Sequence, residues 1–441
     1  MKYILIFALY LNIMRPFVVA STRPELIKLA PVLREFDSRG IEYIFVTTGQ
    51  HYSINLFHSF IGDLELKRPD HDIEIGSGSH AYQTSASMIE LEKLMKMEKP
   101  DVVIAEGDTN SVLSTALVAV KLHLPFAHVE SGLRSFNMRM PEEVNRIVAD
   151  HCSQVLFAPT ESAGLNLLNE GIPPGKVHIV GNTIVDAIRQ NMRIANRKST
   201  LELPKEYALL TLHRAENVDS RSVLSNIVEA LTKIKFNVVF PCHPRTMKML
   251  NEFGLLKKLK KNPNIRITGP MGYLDFIYAM SRSKVILTDS GGIQEESLAL
   301  NIPCLTLRDT TERPESIIAG GNILVGTKAK NILKKLEMVL KDKSLYSKMK
   351  QAKNPFGDGK SGKRIVEILL EKHRNGDLAI SSPDFKRGFW KRKLVAVDSS
   401  LAGKRIKDLG MEVFKLIVDG EERYPNGDIV LREGQFIEIR S

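Results

Sequence analysis

Lys284-Val-Ile-Leu-Thr-Asp-Ser-Gly-Gly-Ile-Gln-Glu-Glu-Ser297 decides how this chain is read. Val285 to Thr288 are apolar or β-branched and predict a buried strand; Asp289-Ser290-Gly291-Gly292 predicts a turn, and Ile293 to Leu300 a helix. Strand, glycine turn and helix start leave backbone N–H groups and the positive end of a helix dipole facing outward, a geometry that binds phosphate. Gly291 and Gly292 would let an anion approach the backbone with no Cβ in the way. The same residues also fit a tight strand-to-helix turn of an α/β sheet with no ligand, and on this stretch alone both readings stand.

The pattern extends in both directions. Apolar strand candidates fall at Phe17–Ala20, Tyr43–Thr47, Asp101–Ala105, Phe126–Val129 and Val155–Ala158, with helical stretches such as Glu25–Arg39, Ala81–Met97 and Ser111–Leu122 between them. A second series starts near Tyr207 and runs through Asn237–Pro241, Asn264–Thr268, Val285–Thr288 and Cys304–Leu307. Strands alternating with helices predict parallel βαβ units with both sheet faces covered. The polar, basic stretch Asn191–Pro204 reads as a linker. The expectation is an α/β chain of two Rossmann-like domains, 14–190 and 191–358, facing a cleft, with ligands beyond the carboxyl ends of the strands. A helix near 359–374 follows, then a linker at 375–390 carrying the basic residues Lys386 and Arg387. From residue 391 short β patterns (Leu394–Val397, Phe414–Val418, Asp428–Leu431, Phe436–Ile439) predict a small β-rich domain.

At 441 residues, two or three domains are expected. The 43% hydrophobic and 26% charged composition is that of a soluble globular protein, and the net charge of +11, spread along the chain, suits an anionic ligand without marking a nucleic-acid face. Cys152, Cys242 and Cys304 lie far apart, which suggests a reducing compartment and no metal cluster. Tyr3 to Ile13 resembles a signal-peptide core, yet cleavage after Ala20 would delete the first strand, and the run is too short to span a bilayer. Met14 reads as a natural start, 1–13 as a dubious extension, and the compartment as cytoplasmic.

Each polar cluster follows a strand. Arg23 and Lys28 could meet a diphosphate, with Pro24 suited to a first helical turn. Asp108 could be an acid or base, or simply a helix N-cap. Glu142 and Arg146, four apart, share a helix face and fit a surface ion pair equally well. Asp108, Glu130 and Glu142 come from the same end of one sheet, and carboxylates crowded there would raise at least one pKa, as proton transfer near neutrality requires. In the second series His213, His243, Arg308 and Arg313 are candidates for phosphate, and Glu295, Glu296 and Glu315 for sugar or ribose hydroxyls. No HExxH, GxSxG or P-loop pattern occurs.

Together, Thr22-Arg-Pro-Glu25 with Lys28, Gly49-Gln-His51, Gly107-Asp-Thr109, His128-Val-Glu-Ser-Gly-Leu-Arg134, Pro141-Glu-Glu-Val-Asn-Arg146, Gly181-Asn-Thr183, His213-Arg214, Thr288-Asp-Ser-Gly-Gly-Ile-Gln-Glu-Glu296, Arg308-Asp-Thr-Thr-Glu-Arg-Pro-Glu315 and Asn354-Pro-Phe-Gly-Asp-Gly359 resemble the non-hydrolysing UDP-N-acetylglucosamine 2-epimerases. The resemblance runs in order over residues 15–373 and implies a GT-B fold. It implies that Arg23, Lys28, His213, Ser290, Gly291, Gly292 and Arg313 hold or work beside the UDP diphosphate. Glu296 would hold ribose and Phe276 would lie near uracil. Asp108, Glu130 and Glu142, with Arg146, would serve acid–base chemistry. The implied reaction removes UDP from C1 and the proton from C2 by anti elimination, then re-adds UDP to 2-acetamidoglucal with C2 protonated on the other face. No metal or nicotinamide cofactor is implied. The partners implied are UDP-GlcNAc and UDP-ManNAc. A homodimer is expected, with no nucleic acid and no membrane insertion. A related diacetamido-uronic sugar epimerase and a GT-B glycosyltransferase are the alternatives.

Two departures stand out. Ser21 replaces the glycine usual before Thr22-Arg-Pro-Glu, and Tyr52-Ser-Ile-Asn55 replaces the usual Arg-x-Met-Leu, which puts activation by a second UDP-GlcNAc in doubt. Beyond residue 391, Ser399-Ser-Leu-Ala-Gly-Lys404, Asp408-Leu-Gly410 and Leu431-Arg-Glu-Gly-Gln-Phe-Ile-Glu438 resemble the C-terminal module of RCK/TrkA proteins. That resemblance implies ligand sensing or dimerisation.

Overall fold

A computed structural model describes residues 14–49, 54–380 and 392–440. The expected extension 1–13, Gln50 and His51 of the Gly49-Gln-His51 motif, and the basic linker around Lys386 lie outside the described residues. The chain divides into two compact units: one comprises Met1–Thr183 with Gly359–Ser441, the other Ile184–Asp358.

In the first unit, β1 (Pro16–Ala20), β2 (Ile44–Thr47), β3 (His71–Asp72), β4 (Val102–Glu106), β5 (Phe126–Val129), β6 (Val155–Ala158) and β7 (Val177–Ile179) form a sheet ordered β3-β2-β1-β4-β5-β6-β7. Every pairing is parallel. Helices cover such a sheet on both faces, so β1, β4, β5 and β6 are buried along their whole length, which is why they read as mainly apolar runs, interrupted by His128 in β5 and Glu106 at the end of β4. The second unit repeats the plan with β8 (Ala208–Thr211), β9 (Val238–Pro241), β10 (Ile265–Thr268), β11 (Val285–Thr288), β12 (Cys304–Thr306) and β13 (Asn322–Leu324), ordered β10-β9-β8-β11-β12-β13 and again parallel. In each sheet the strand order reverses beside the first strand, between β1 and β4 and between β8 and β11. The carboxyl ends of those two strand pairs are where a doubly wound sheet leaves room for a ligand. Two such Rossmann-like units make up the GT-B class of fold.

The third sheet is antiparallel: β14 (Arg392–Ala396), β15 (Val413–Val418), β16 (Glu421–Arg423) and β17 (Phe436–Arg440), ordered β14-β17-β15-β16. Val397, Ile406, Val413, Leu416, Leu431 and Ile437 form its own core. The expected strand at Asp428–Leu431 is absent as an element and contributes only a single bridge, Arg405 to Val430. The charged β16 was not expected. It exists because Asp419 and Gly420, at φ +52° and +82°, make a tight hairpin turn that folds it back on β15.

The linker expected from Asn191 is corrected in part. A helix spans Thr183–Lys198, and Ile184, Val185, Ile188, Ile194 and Ala195 are buried. These residues recur at helical spacing beneath a polar surface, so the net polarity of the stretch hid an amphipathic helix. Among the described residues no helix is long and apolar enough to cross a membrane.

Candidate active site

In the first unit, β4 ends in Glu106 and turns through Gly107, whose φ of +88° favours glycine, into Asp108-Thr109 and the helix Asn110–Lys121. Thr109 is the N-cap of that helix, so Asp108 is released from capping. Its Oδ2 accepts from Arg146 Nη2 at 2.5 Å, and Asn145 Nδ2 donates to its backbone carbonyl at 2.9 Å. Arg146 Nη1 donates to Glu143 at 2.8 Å. The ion pair weighed for Glu142 and Arg146 is thus replaced: Arg146 joins Asp108 to Glu143, three residues back. Glu143 is buried and also accepts the N–H groups of Ser135 and Phe136, at 2.9 and 2.7 Å. Glu142 lies half-buried in the first turn of the helix Pro141–Cys152.

Beside this pair is a second group of charges. Lys28 donates to both carboxylate oxygens of Glu130 at 2.6 Å, and its Nζ is 3.0 Å from Glu106. Asn182 Nδ2 donates to Glu130 at 3.0 Å. Lys28, expected at a diphosphate, therefore sits among carboxylates. Glu106 is 1% exposed, and burial holds its carboxyl well above the usual range. Lys28 pulls it down while Glu130 and Glu25 push it up, and burial prevails over the ion pair. Glu25 completes a capping box with Thr22 at the start of the helix Arg23–Ser38; it accepts from the Ser21 N–H at 2.5 Å and hydroxyl at 2.7 Å. Arg23, first in that helix, lies over the Phe60 ring at 5.3 Å. Glu130 itself has φ +66°, a left-handed conformation unusual for a residue with a Cβ and one that surrounding contacts must enforce. The buried His128 fixes the floor: Nε2 donates to Gly107 O at 2.8 Å and Nδ1 meets Asp150 at 2.6 Å. Asp150 is held below the usual carboxylate range despite burial, by His128 and by Arg134, 2.7 Å away.

In the second unit the corresponding loops follow β8 and β11. Asp289 is fully buried and accepts the N–H of His213 at 3.1 Å, the N–H of Arg214 at 3.0 Å and Asn217 Nδ2 at 3.2 Å. It thereby joins the two loops. His213 Nδ1 is 3.3 Å from Asp289, and burial lowers the pKa of the ring; Asp289 opposes this, while Arg214 and His243 add to it. The His243 ring lies 6.0 Å from that of His213 and caps the helix Pro244–Glu252 by accepting Arg245 N–H at 3.2 Å. Ser290 is the N-cap of the helix Gly291–Ala299 without a side-chain capping bond, and its N–H goes to Thr288 Oγ1 at 3.0 Å. A Cβ at Gly292 would meet nothing within 4 Å, and neither Gly291 nor Gly292 lies in the left-handed region. Internal packing and backbone conformation therefore do not explain Gly292. Arg313 Nε donates to the buried Glu295, and Arg308 is bound by Glu216 at 2.7 Å and Glu312 at 2.7 Å, which pushes Glu312 down to about 2. Two carboxylates thus occupy Arg308, weighed earlier for an anion. Glu296 and Phe276 are each half-buried, on Gly291–Ala299 and Tyr273–Arg282.

Sequence reasoning missed Glu106, Glu143, His128 and Asp150 as members of these networks. Glu106 ends an apolar strand, and a carboxylate there was the only available signal. Among the described residues no group of His, Cys, Asp and Glu is placed to hold a metal ion.

The family model described as UDP-N-acetylglucosamine 2-epimerase matches residues 34–370. The UDP-N-acetylglucosamine 2-epimerase of Methanocaldococcus jannaschii is 49% identical over 367 residues, covering 81% of this chain and 99% of its own. The UDP-2,3-diacetamido-2,3-dideoxy-D-glucuronate 2-epimerase of Pseudomonas aeruginosa is 39% identical over 364 residues, covering 81% and 100%. The crystal structure of the M. jannaschii enzyme in complex with UDP-GlcNAc and UDP superposes with a TM-score of 0.70 at 49% identity, over 81% of this chain and all of that one. With the family model spanning most of the chain and a near full-length relative at 49% identity, this chain belongs to the UDP-N-acetylglucosamine 2-epimerase family.

Proposed function

We propose that the chain interconverts UDP-N-acetylglucosamine and UDP-N-acetylmannosamine. The observation that carries this reading is Asp108, taken off helix-capping duty and set against Arg146 at 2.5 Å beside a group of buried carboxylates. The C2 proton of the sugar is not acidic until UDP begins to leave C1. Departure needs positive charge and N–H donors at the diphosphate; removal of the proton needs a positioned carboxylate. Residues of the domain 191–358 serve the first need: Ser290, Gly291 and Gly292 at a helix start, His213 and Arg313, with Glu296 on ribose and Phe276 beside uracil. Arg23, in the N-terminal domain 14–190, is assigned to the diphosphate as well. Asp108, Glu130 and Glu142 transfer protons. Arg146 is paired with Asp108 at 2.5 Å, and Lys28 with Glu130 at 2.6 Å. His213, its pKa lowered by burial, works beside the departing diphosphate. The product supplies N-acetylmannosaminyl groups for surface polysaccharide synthesis.

A related UDP-diacetamido sugar is the second reading, supported by the likeness to the P. aeruginosa enzyme. The enzyme is assigned to the cytoplasm, with Cys152, Cys242 and Cys304 unpaired. It acts as a homodimer: Tyr82, Ile89 and Val144, on two helices of the first unit, are exposed apolar residues that a second copy would cover. The third sheet is taken as an RCK/TrkA-like module that assists pairing. Incubation with UDP-GlcNAc in D₂O tests the main reading. Deuterium at C2 with appearance of UDP-ManNAc is expected; a sugar that keeps its C2 proton overturns it, and turnover confined to the diacetamido sugar selects the second reading.

A further inference from the structure

The family match ends at residue 370, and the sheet from Arg392 onward lies beyond it. That sheet nevertheless packs closely against the first unit. Tyr424, just after β16, donates its hydroxyl to Val177 O at 3.0 Å. Its ring lies so close to the helix Glu161–Asn169 that a Cβ at Gly164 would come within 2.9 Å of it. Arg392 Nη2 donates to Leu168 O at 3.0 Å, at the far end of the same helix. Tyr424 also joins the cluster of Ala163, Leu167, Leu168 and Val177, on which Leu133 packs as well.

Both groups that Tyr424 touches lead to Glu130. Along one, the helix Glu161–Asn169 bears on the loop after Glu130: Asn166 Nδ2 donates to Gly132 O at 2.9 Å, and a Cβ at Gly132 would fall 2.2 Å from Ala163 O. Arg134, in the same loop, is tied to Glu170 at 2.6 Å just past the helix. Along the other, Val177 opens β7, and the chain beyond β7 presents Asn182, whose amide donates to Glu130 at 3.0 Å. One aromatic side chain therefore contacts both supports of a residue whose backbone lies at φ +66°. A left-handed residue with a Cβ persists only where its surroundings determine it from several sides.

We infer that Tyr424 of the third sheet is a positioning residue for Glu130, acting through the helix Glu161–Asn169 and through β7. The inference rests on Glu130 serving the proposed epimerisation. The third sheet is then more than a tether: it braces a carboxylate of the first sheet without approaching the substrate.

The test compares the full chain with Tyr424→Ala and Tyr424→Phe. For Tyr424→Ala, kcat for UDP-GlcNAc should fall about three- to tenfold, a barrier change of about 1 kcal/mol. KM and the stoichiometry of UDP binding by calorimetry should stay as in the parent, which separates misplacement of Glu130 from loss of folded protein. Hydrogen exchange at Ser131 to Arg134 should accelerate. Tyr424→Phe keeps the ring over Gly164 but loses the bond to Val177 O, and should fall between the two. If Tyr424→Ala does not fold, Tyr424→Phe carries the test with the same measurements. Unchanged kcat with unchanged exchange at Ser131 to Arg134 overturns the inference, and so does a loss shared equally with UDP stoichiometry. If the parent shows no epimerisation, the functional reading fails, while the exchange measurement still decides whether Tyr424 controls the Glu130 loop.

Discussion

Replacing Asp108 with asparagine separates the catalytic reading from a structural one. The carboxylate is 31% exposed and Arg146 17% exposed, so the pair is partly screened by water and contributes at most about 1 kcal/mol to stability. Arg146 retains Glu143 at 2.8 Å, and the asparagine carbonyl can still accept from it. The melting temperature should therefore fall by no more than about 4 °C. Catalysis is a different matter, because asparagine cannot take up or deliver the C2 proton. Loss of a general acid or base slows turnover by roughly 10²- to 10⁴-fold, or about 3–5 kcal/mol in the barrier. Deuterium exchange at C2 followed by NMR measures the rate; calorimetry with UDP should give a Kd close to that of the parent. Turnover within tenfold of the parent would remove Asp108 from the mechanism. A melting temperature lowered by more than 10 °C would show that the pair is chiefly structural.

Other substitutions probe the surroundings. Lys28→Met removes the ammonium that lies against Glu106 and Glu130 and should cost about 3 kcal/mol or more near pH 8 in urea denaturation. Glu106 already has a folded pKa raised above the ordinary 4.5, so the folded state binds more protons than the unfolded one above that pH. The penalty grows as pH rises through this window, and the Lys28→Met defect should shrink on approaching pH 5; a defect independent of pH would contradict the assignment. His178 is lowered to about 4 by burial, with Lys372 assisting, against 6.5 for an ordinary histidine. A depressed histidine makes the unfolded state the better proton acceptor, so stability should decline by about 3 kcal/mol as pH falls from 6.5 toward 4. His178→Gln should flatten that part of the melting-temperature profile, and an unaltered profile would refute the reasoning. Gly132→Ala faces φ +79° and the Ala163 carbonyl, and should destabilise by about 3 kcal/mol or more in the same assay.

Much of the architecture was legible because parallel strands buried on both faces must be apolar throughout. β5, β6 and β11 were anticipated to the residue, and β1, β4 and β9 to within one. β3, β7 and β13 are short, partly buried edge strands that leave no such signal and are held by pairing with β2, β6 and β12. The helix from Thr183 was not anticipated, since its buried stripe is diluted by Arg189, Asn191, Arg193 and Arg197. Motif residues such as Asp108 and Arg146 could be marked from spacing and resemblance, but not their pairing, because Arg146 had both Glu142 and Glu143 within reach on its own helix. Glu106 became visible only when the fold set Lys28, two strands' worth of backbone away, against it. Tyr424 could not be marked from sequence at all, since its meaning depends on Gly164 and Val177, more than two hundred residues earlier.

The first unit is discontinuous. Its closing helix, Ser361–Asn375, packs so tightly on the first helix that a Cβ at Gly362 would lie 2.8 Å from Pro31 O, and Arg364 reaches back to Val180 O at 3.2 Å. During synthesis, residues 1–183 leave the ribosome long before that helix exists, and Ile184–Asp358, one unbroken stretch, intervenes. The second unit can fold as its residues emerge, whereas the first must wait with the first helix incompletely covered at Pro31. Chaperone dependence and aggregation of truncated chains should therefore concentrate in the first unit, and a nascent chain halted at Asp358 should hold one finished half and one unfinished half.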